Sequence, residues 1–272
     1  MSTTVAESFV TYEQQDRLVT MTFNRPEARN AIGAMQDCQE VIAALERAQA
    51  DRRVSCIILT GAGSCFSAGG NLKAMKARSG IGRLEQPDST RANYRRGVQR
   101  MISALWECEV PMVAAINGPA IGLGLDIACT CDLRIAADCA RFAASFIKVG
   151  IVPGDGGAWI LPRVVGLGRA AELILTGDAI DAAAALAINL VTSVVAGTNL
   201  LAAARELAAR ITVNPPRALR LAKRLLREGQ QQRLSDVLEL SAALQALAHE
   251  THDHAEALDA LLEKRTPQFT GE

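Results

Sequence analysis

The chain has no net charge, few histidines, no paired-cysteine motif and no long apolar run. Each absence removes a class of function. Its 272 residues carry 29 basic and 29 acidic side chains, so no electrostatic footprint for nucleic acid or for an acidic surface is present. No stretch approaches the roughly 18 apolar residues that a membrane helix needs. The N-terminal MSTTVAESFV lacks a basic region followed by an apolar stretch, so no secretory signal is expected and a cytoplasmic location is. The seven cysteines have no CxxC spacing. They read as reduced thiols, not as a disulfide frame or zinc site. The three histidines, His249, His252 and His254, all lie near the C-terminus and read as surface residues. Neither a Ser-His-Asp order nor metal-ligand spacing stands out.

What is present is an α/β pattern. At 49% hydrophobic and 21% charged residues the composition is that of a globular protein, and the length fits one large domain or a domain with a helical appendix. Residues 8–14 and 17–23 read as strands, the second with alternating character. Asn24-Arg25-Pro26 opens a loop through Ala31. Apolar residues at helical spacing predict a helix over 34–48, and Val54 to Leu59 reads as a buried strand. Residues 78–100 begin polar and turn-rich and carry Arg78, Arg83, Arg91, Arg95, Arg96 and Arg100. They read as a loop, then one helix from Thr90 through Cys108, with the arginines either meeting phosphates or forming a solvated face. Further helices are expected at 169–176, at 182–187 behind an Asp181 cap, and at 199–212, 216–228, 233–248 and 253–264. Val191 to Val195 is the last strand candidate. Residues 1–197 thus read as an α/β body carrying the site, and 198–272 as a helical region whose leucine-rich faces suggest subunit contact.

Two stretches carry chemistry. Met112 to Ile116 is an apolar strand pattern, followed by Asn117-Gly118-Pro119, a turn at Ala120-Ile121-Gly122-Leu123-Gly124 and an apolar helical pattern from Leu125 to Thr130. Such a helix start exposes unpaired backbone N–H groups, and the Leu123 amide is a candidate donor to an oxygen that becomes negative. A second strand-to-turn-to-helix unit, Gly61 to Leu72, lies about 55 residues earlier. Two such turns can aim two amides at one oxygen. A donor of this kind contributes about 2.7–4 kcal/mol to transition-state stabilisation.

These residues resemble a known family. Phe66-Ser67-Ala68-Gly69-Gly70-Asn71-Leu72 and Gly122-Leu123-Gly124-Leu125-Asp126-Ile127-Ala128, with Cys131-Asp132, are similar to the two signatures of the crotonase superfamily, the enoyl-CoA hydratase/isomerase family. Asn24-Arg25-Pro26 with Asn30-Ala31, Gly150 to Gly157, Thr176-Gly177, and Glu263 to Phe269 match as well. The resemblance covers about residues 8–271. It implies a spiral of ββα units with a C-terminal helical region, assembled as a homotrimer or a dimer of trimers. It implies an acyl-coenzyme A thioester as substrate, with coenzyme A entering as part of that substrate and no separate cofactor. It places the thioester carbonyl between the amides of Ala68 and Leu123, with Ser67, Gly69, Gly70, Leu72 and Gly122 about it. The adenine-side pocket is expected near Arg25, Ala28 and Ala31, and Lys264 near a coenzyme A phosphate.

The acid and base depart from the family's hydratase pattern. Its two glutamate positions fall on Asp126 and on Phe146, which cannot titrate. Another carboxylate, Asp155, stands in Pro153-Gly154-Asp155-Gly156-Gly157. Isomerase-type relatives carry a catalytic aspartate usually one position earlier, where Gly154 stands. Asp155 reads either as catalytic or as a turn residue or helix cap, and Asp126 is the first choice for proton transfer. One carboxylate that moves a proton out and back can shift a double bond, whereas syn-addition of water normally uses two positioned groups. An enoyl-CoA isomerase or hydratase is therefore expected. The alternatives are hydrolysis or dehalogenation against an aromatic wall of Phe146 and Trp159, or non-catalytic acyl-CoA binding.

Overall fold

In the computed structural model, which describes residues 8–82 and 86–272, the chain begins with a hairpin. Strands β1 (Val10–Gln15) and β2 (Leu18–Phe23) pair antiparallel, from Val10 opposite Phe23 to Gln15 opposite Leu18. Helix α1 (Met35–Ala50) follows the predicted loop, then β3 (Cys56–Gly61), α2 (Leu72–Lys76), α3 (Pro87–Arg96) and α4 (Val98–Glu107). Strand β4 (Met112–Ile116), the two-residue β5 (Ala120–Ile121) and α5 (Leu123–Thr130) make the second turn unit. Beyond them lie β6 (Leu133–Ala137), β7 (Arg141–Ala143), α6 (Gly157–Val165), α7 (Leu167–Thr176), β8 (Ile180–Asp181), α8 (Ala182–Ala187) and β9 (Ser193–Val195). The remainder is helical: α9 (Leu200–Thr212), α10 (Pro216–Glu228), α11 (Leu234–His249) and α12 (His252–Glu263).

The main sheet has six strands in the order β1-β2-β3-β4-β6-β9, parallel after the first pair. A three-stranded sheet, β5-β7-β8, stands beside it. Both faces of the main sheet are covered, which explains why its strands are continuous apolar runs. Ile57 and Leu59 of β3 and Met112, Ala114 and Ile116 of β4 face the main core with α1, α4 and α5. Cys56, Ile58, Val113 and Ala115 face the other way, against Leu200, Ala204 and Ala208 of α9. All seven cysteines are free and six are buried. No helix among the described residues is long and apolar enough to cross a membrane.

Three features differ from the sequence reading. The helix expected from Thr90 through Cys108 is two helices, broken at Gly97 where φ is −100° and ψ −97°. A side chain at Gly97 would come within 2.7 Å of Met35 Sδ, so close packing of α1 explains the break. Arg83 of the predicted basic loop lies outside the described residues. Strand β6 carries a buried arginine and was not anticipated. Arg134 Nε donates to Leu190 O at 2.7 Å and Nη1 to Cys131 O at 2.6 Å, so backbone carbonyls satisfy a charge inside a core strand. Helix α10 docks through cations where leucine contacts were expected. Arg220 donates to Gln49 O, Asp51 O and Val54 O, and Lys223 and Arg227 each pair with Asp132 at 2.8 Å.

Candidate active site

The two glycine turns lie side by side. Ser67 forms an isolated parallel bridge with Ala120; its amide donates to Pro119 O at 3.1 Å and its carbonyl accepts from Ile121 N at 3.0 Å. Gly69 has φ +81°, and a methyl group there would lie 2.3 Å from Ile121 O and 3.2 Å from Leu123 N. Only glycine permits that approach. From the other side, a methyl group on Gly124 would lie 2.4 Å from Ser67 O. The loop before α1 locks the first turn: Asn30 Nδ2 donates to Cys65 O at 2.7 Å and Ser67 Oγ donates to Asn30 O at 2.9 Å.

Of the expected donors, Leu123 opens α5 at a cavity wall, whereas the Ala68 amide is engaged elsewhere. Ala68 N donates to Arg29 O at 2.9 Å, so it is already bonded within the protein. Gly69 N is held by Ser67 Oγ at 3.1 Å and Asn71 N by Ile32 O at 3.0 Å. Among the described residues the Gly70 amide has no acceptor. Leu123, the first residue of α5, likewise has none, as a helix N-terminus requires. The two amides without an acceptor are thus those of Gly70 and Leu123, and both residues line one cavity of about 780 Å³.

Ala68, Leu72, Gly122, Phe146 and Asp155 also line this cavity. Asp155 is the one carboxyl in its wall among the described residues. Asp126, 1% exposed, lies behind it. A methyl group on Gly157 would lie 2.2 Å from Asp126 Oδ2, which packs this carboxyl against the start of α6. Burial pushes the Asp126 carboxyl well above its ordinary value, and the facing Asp155 pushes it further. Burial also raises Asp155, while a hydrogen bond from Asp126 and the amide of Gly157 oppose that rise. Asp126 Oδ2 and Asp155 Oδ1 have no donor among the described residues, which suits two carboxyls joined by one proton. The rise is the greater at the deeper Asp126, which favours it over Asp155 as the seat of that proton. The carboxyl at the cavity wall is Asp155, while Asp126, the first choice from sequence, lies buried behind it.

The remaining wall is apolar and was missed in the sequence. Ile32, Met75, Ile81, Val98 and Ile151 form it with the Tyr94 ring. Their pattern was read as ordinary core or loop, and only the lone Tyr94 in a polar, arginine-rich helix was a usable signal. Thiol nucleophiles play no part in this wall. Burial pushes Cys129 and Cys131 up to about 12, which keeps them protonated.

A model of the enoyl-CoA hydratase/isomerase family matches residues 13–272. The chain belongs to the enoyl-CoA hydratase/isomerase family. It is 37% identical over 264 residues to a crotonyl-CoA hydratase of Syntrophomonas wolfei, covering 94% of this chain and 96% of that one. It is 35% identical over 259 residues to an enoyl-CoA isomerase/hydratase of Mycosarcoma maydis, with 92% of each chain covered. The crystal structure of an enoyl-CoA hydratase from Bacillus anthracis superposes with a TM-score of 0.89 at 32% identity, over 97% of this chain and 100% of that one. This family's crotonase fold, with its C-terminal helices, is the fold of the chain.

Not every position carried over from the family reaches the cavity. Ser67 and Gly69 are buried or packed behind the turn, where they shape it. Ala31 is buried and Ala28 half-buried beside the same loop, outside the cavity wall. Arg25 pairs with Asp37 at 2.9 Å and stacks over Phe9 at 4.9 Å, so its charge is engaged by the loop. Lys264 is exposed, in the left-handed cap of α12 with φ 58°. Trp159 is the clear correction. It lies outside the cavity wall, edge-on to Trp106 at 4.9 Å with Arg163 stacked at 3.6 Å. Asp155 precedes α6, which begins at Gly157 after the left-handed Gly156, so helical spacing does not tie Trp159 to the face of Asp155.

Proposed function

We propose that this enzyme moves the double bond of an enoyl-coenzyme A thioester, with Asp155 carrying the proton. The Asp155 carboxylate takes a proton from the carbon next to the thioester, and the C–H electron pair spreads onto the thioester oxygen. The Gly70 and Leu123 amides receive that charge without reorganising. Return of the proton to the far carbon of the allylic system restores the carbonyl with the alkene displaced and the mass unchanged. The observation that carries this reading is that Asp155 is the one carboxylate in the cavity wall among the described residues, with the raised Asp126 carboxyl behind it and Phe146 in the wall. Water addition by the usual two-carboxylate route lacks its second group here.

The substrate class follows the printed names of the relatives, which include a crotonyl-CoA hydratase and an enoyl-CoA isomerase/hydratase. Coenzyme A comes with the substrate, and the exposed Lys264 is available to a phosphate. The exposed leucines of α11 and α12 support assembly as a trimer or hexamer, with 198–272 as the oligomerisation region and 1–197 as the catalytic core. A cytoplasmic place in fatty-acid metabolism fits this chemistry.

The test is a product screen by mass and NMR over short, long and aromatic enoyl-CoA thioesters. An unchanged mass with a displaced alkene is expected. A product heavier by one water as the main outcome would replace isomerisation with hydration, and binding without any product would leave only an acyl-CoA binder.

A further inference from the structure

Among the described residues four polar side chains line the cavity: Asn71, Tyr94, Ser145 and Asp155. Asn71 is committed, since its Oδ1 accepts from Ala74 N at 3.1 Å as the cap of α2. The Tyr94 and Ser145 hydroxyls have no hydrogen-bond partner among the described residues. Tyr94 is set next to the turn that carries Asp155. A methyl group on Gly154 would meet the Tyr94 ring at 3.5 Å, and Gln99 Nε2 ties that turn to α4 by a bond to Gly154 O at 2.7 Å. The ring is held from the other side of α3, where Asn93 Nδ2 donates to Gly80 O at 3.1 Å. Burial, and after it the Asp155 charge, push the phenol above its ordinary value. Phenol and carboxylate therefore sense each other across one cavity and share no hydrogen bond. A half-buried hydroxyl without a partner is costly unless a ligand or water engages it.

We propose that Tyr94 is a second catalytic residue, the acid that delivers the proton to the far carbon while Asp155 removes the first. The inference rests on the isomerase reading above. The C–H bond next to the thioester breaks and its proton goes to the Asp155 carboxylate. The pair delocalises over the allylic carbons and the thioester oxygen. The far carbon then takes the phenol proton, and the phenolate recovers a proton from the Asp155 carboxylic acid. No proton is gained or lost overall, and the phenol is protonated at neutral pH, as an acid must be.

The experiment uses a 3-enoyl-CoA deuterated at the carbon next to the thioester, with the full-length enzyme and Tyr94→Phe. Phenylalanine keeps the ring and its packing, so thermal stability serves as the folding control. In Tyr94→Phe, kcat should fall about a hundredfold with KM changed by less than about twofold. The deuterium retained at the far carbon should also rise, because Asp155 must then return the proton it took. A kcat within about twofold of wild type with unchanged label distribution overturns the proposal, as does a rise in KM alone. Failure of the wild-type enzyme to displace any alkene would sink the isomerase reading itself, before a variant is made.

Discussion

The α/β body and the last helices bury their apolar residues to very different degrees. In the body, β3 and β4 are fully covered on both faces, and all eight residues of α5 are buried. In α11 the one buried residue is Leu244, and in α12 only Asp253 and Ala260 are buried. Leu234 is 74%, Leu261 76% and Leu262 80% exposed. Between these regions α10 is pinned by Arg220, Lys223 and Arg227, with the Lys223 side chain 6% exposed. The body builds a closed site from its own residues, whereas the tail adheres through charge and leaves its leucines uncovered. Catalysis should therefore be lost by changes in the body, and assembly by changes in the tail.

The largest expected effect separates the two regions directly. Asp155→Asn should reduce turnover about 10²–10⁴-fold with no change in assembly, measured by steady-state kinetics and light scattering. Retained turnover would remove Asp155 from the proposed mechanism. Next, Lys223→Ala should lower unfolding free energy by about 3 kcal/mol, since Asp132 and the Val110 carbonyl lose a buried donor. Denaturant melts would show it. A value near zero would mean that α10 is held by its apolar contacts after all. Leu261→Glu combined with Leu262→Glu should dissociate the proposed trimer or hexamer, each leucine contributing about 1.5–3 kcal/mol when covered by a neighbour. An unchanged solution mass would show that this face stays uncovered.

The smallest effect tests the carboxyl pair. Asp126→Asn mimics the protonated acid and keeps a donor toward Asp155, so turnover should fall far less than in Asp155→Asn. Its stability effect has a definite sign. The folded-state value of Asp126 lies above its unfolded value, so its favourable contribution is complete at low pH. That contribution fades as pH rises from the ordinary carboxylate range toward the raised folded value. The asparagine variant removes this slope, about 1.4 kcal/mol per pH unit within that window. Its advantage in Tm over wild type should grow with pH, and an advantage that shrinks would refute the shared-proton arrangement.

Much of the architecture was readable because its signals are local. Gly69 and Gly122, at strand-to-helix turns, announced the two halves of the site, and Asp181 announced the start of α8, where its side chain does accept from Ala184 N at 2.8 Å. The misreadings concern partners distant in sequence. Strand β6, with its buried Arg134, was not anticipated, and the Leu190 carbonyl that satisfies the Arg134 Nε lies 56 residues away. Ala68 looked like a free donor until Arg29 supplied an acceptor. Trp159 looked like a pocket wall until α6 turned it outward beside Trp106.

Periodicity, glycine punctuation and residue type by themselves determined the strand-to-turn-to-helix units and the helical C-terminal region, whereas thioester chemistry was only what the resemblance to the family implied. Those properties follow from backbone sterics and from which side faces the core. Which amides are left without an acceptor, which of two aspartates meets the cavity and which keeps the proton, and that Tyr94 stands beside them were decided by tertiary structure. Hydrogen-bond satisfaction and desolvation depend on neighbours that only folding brings within a few ångströms.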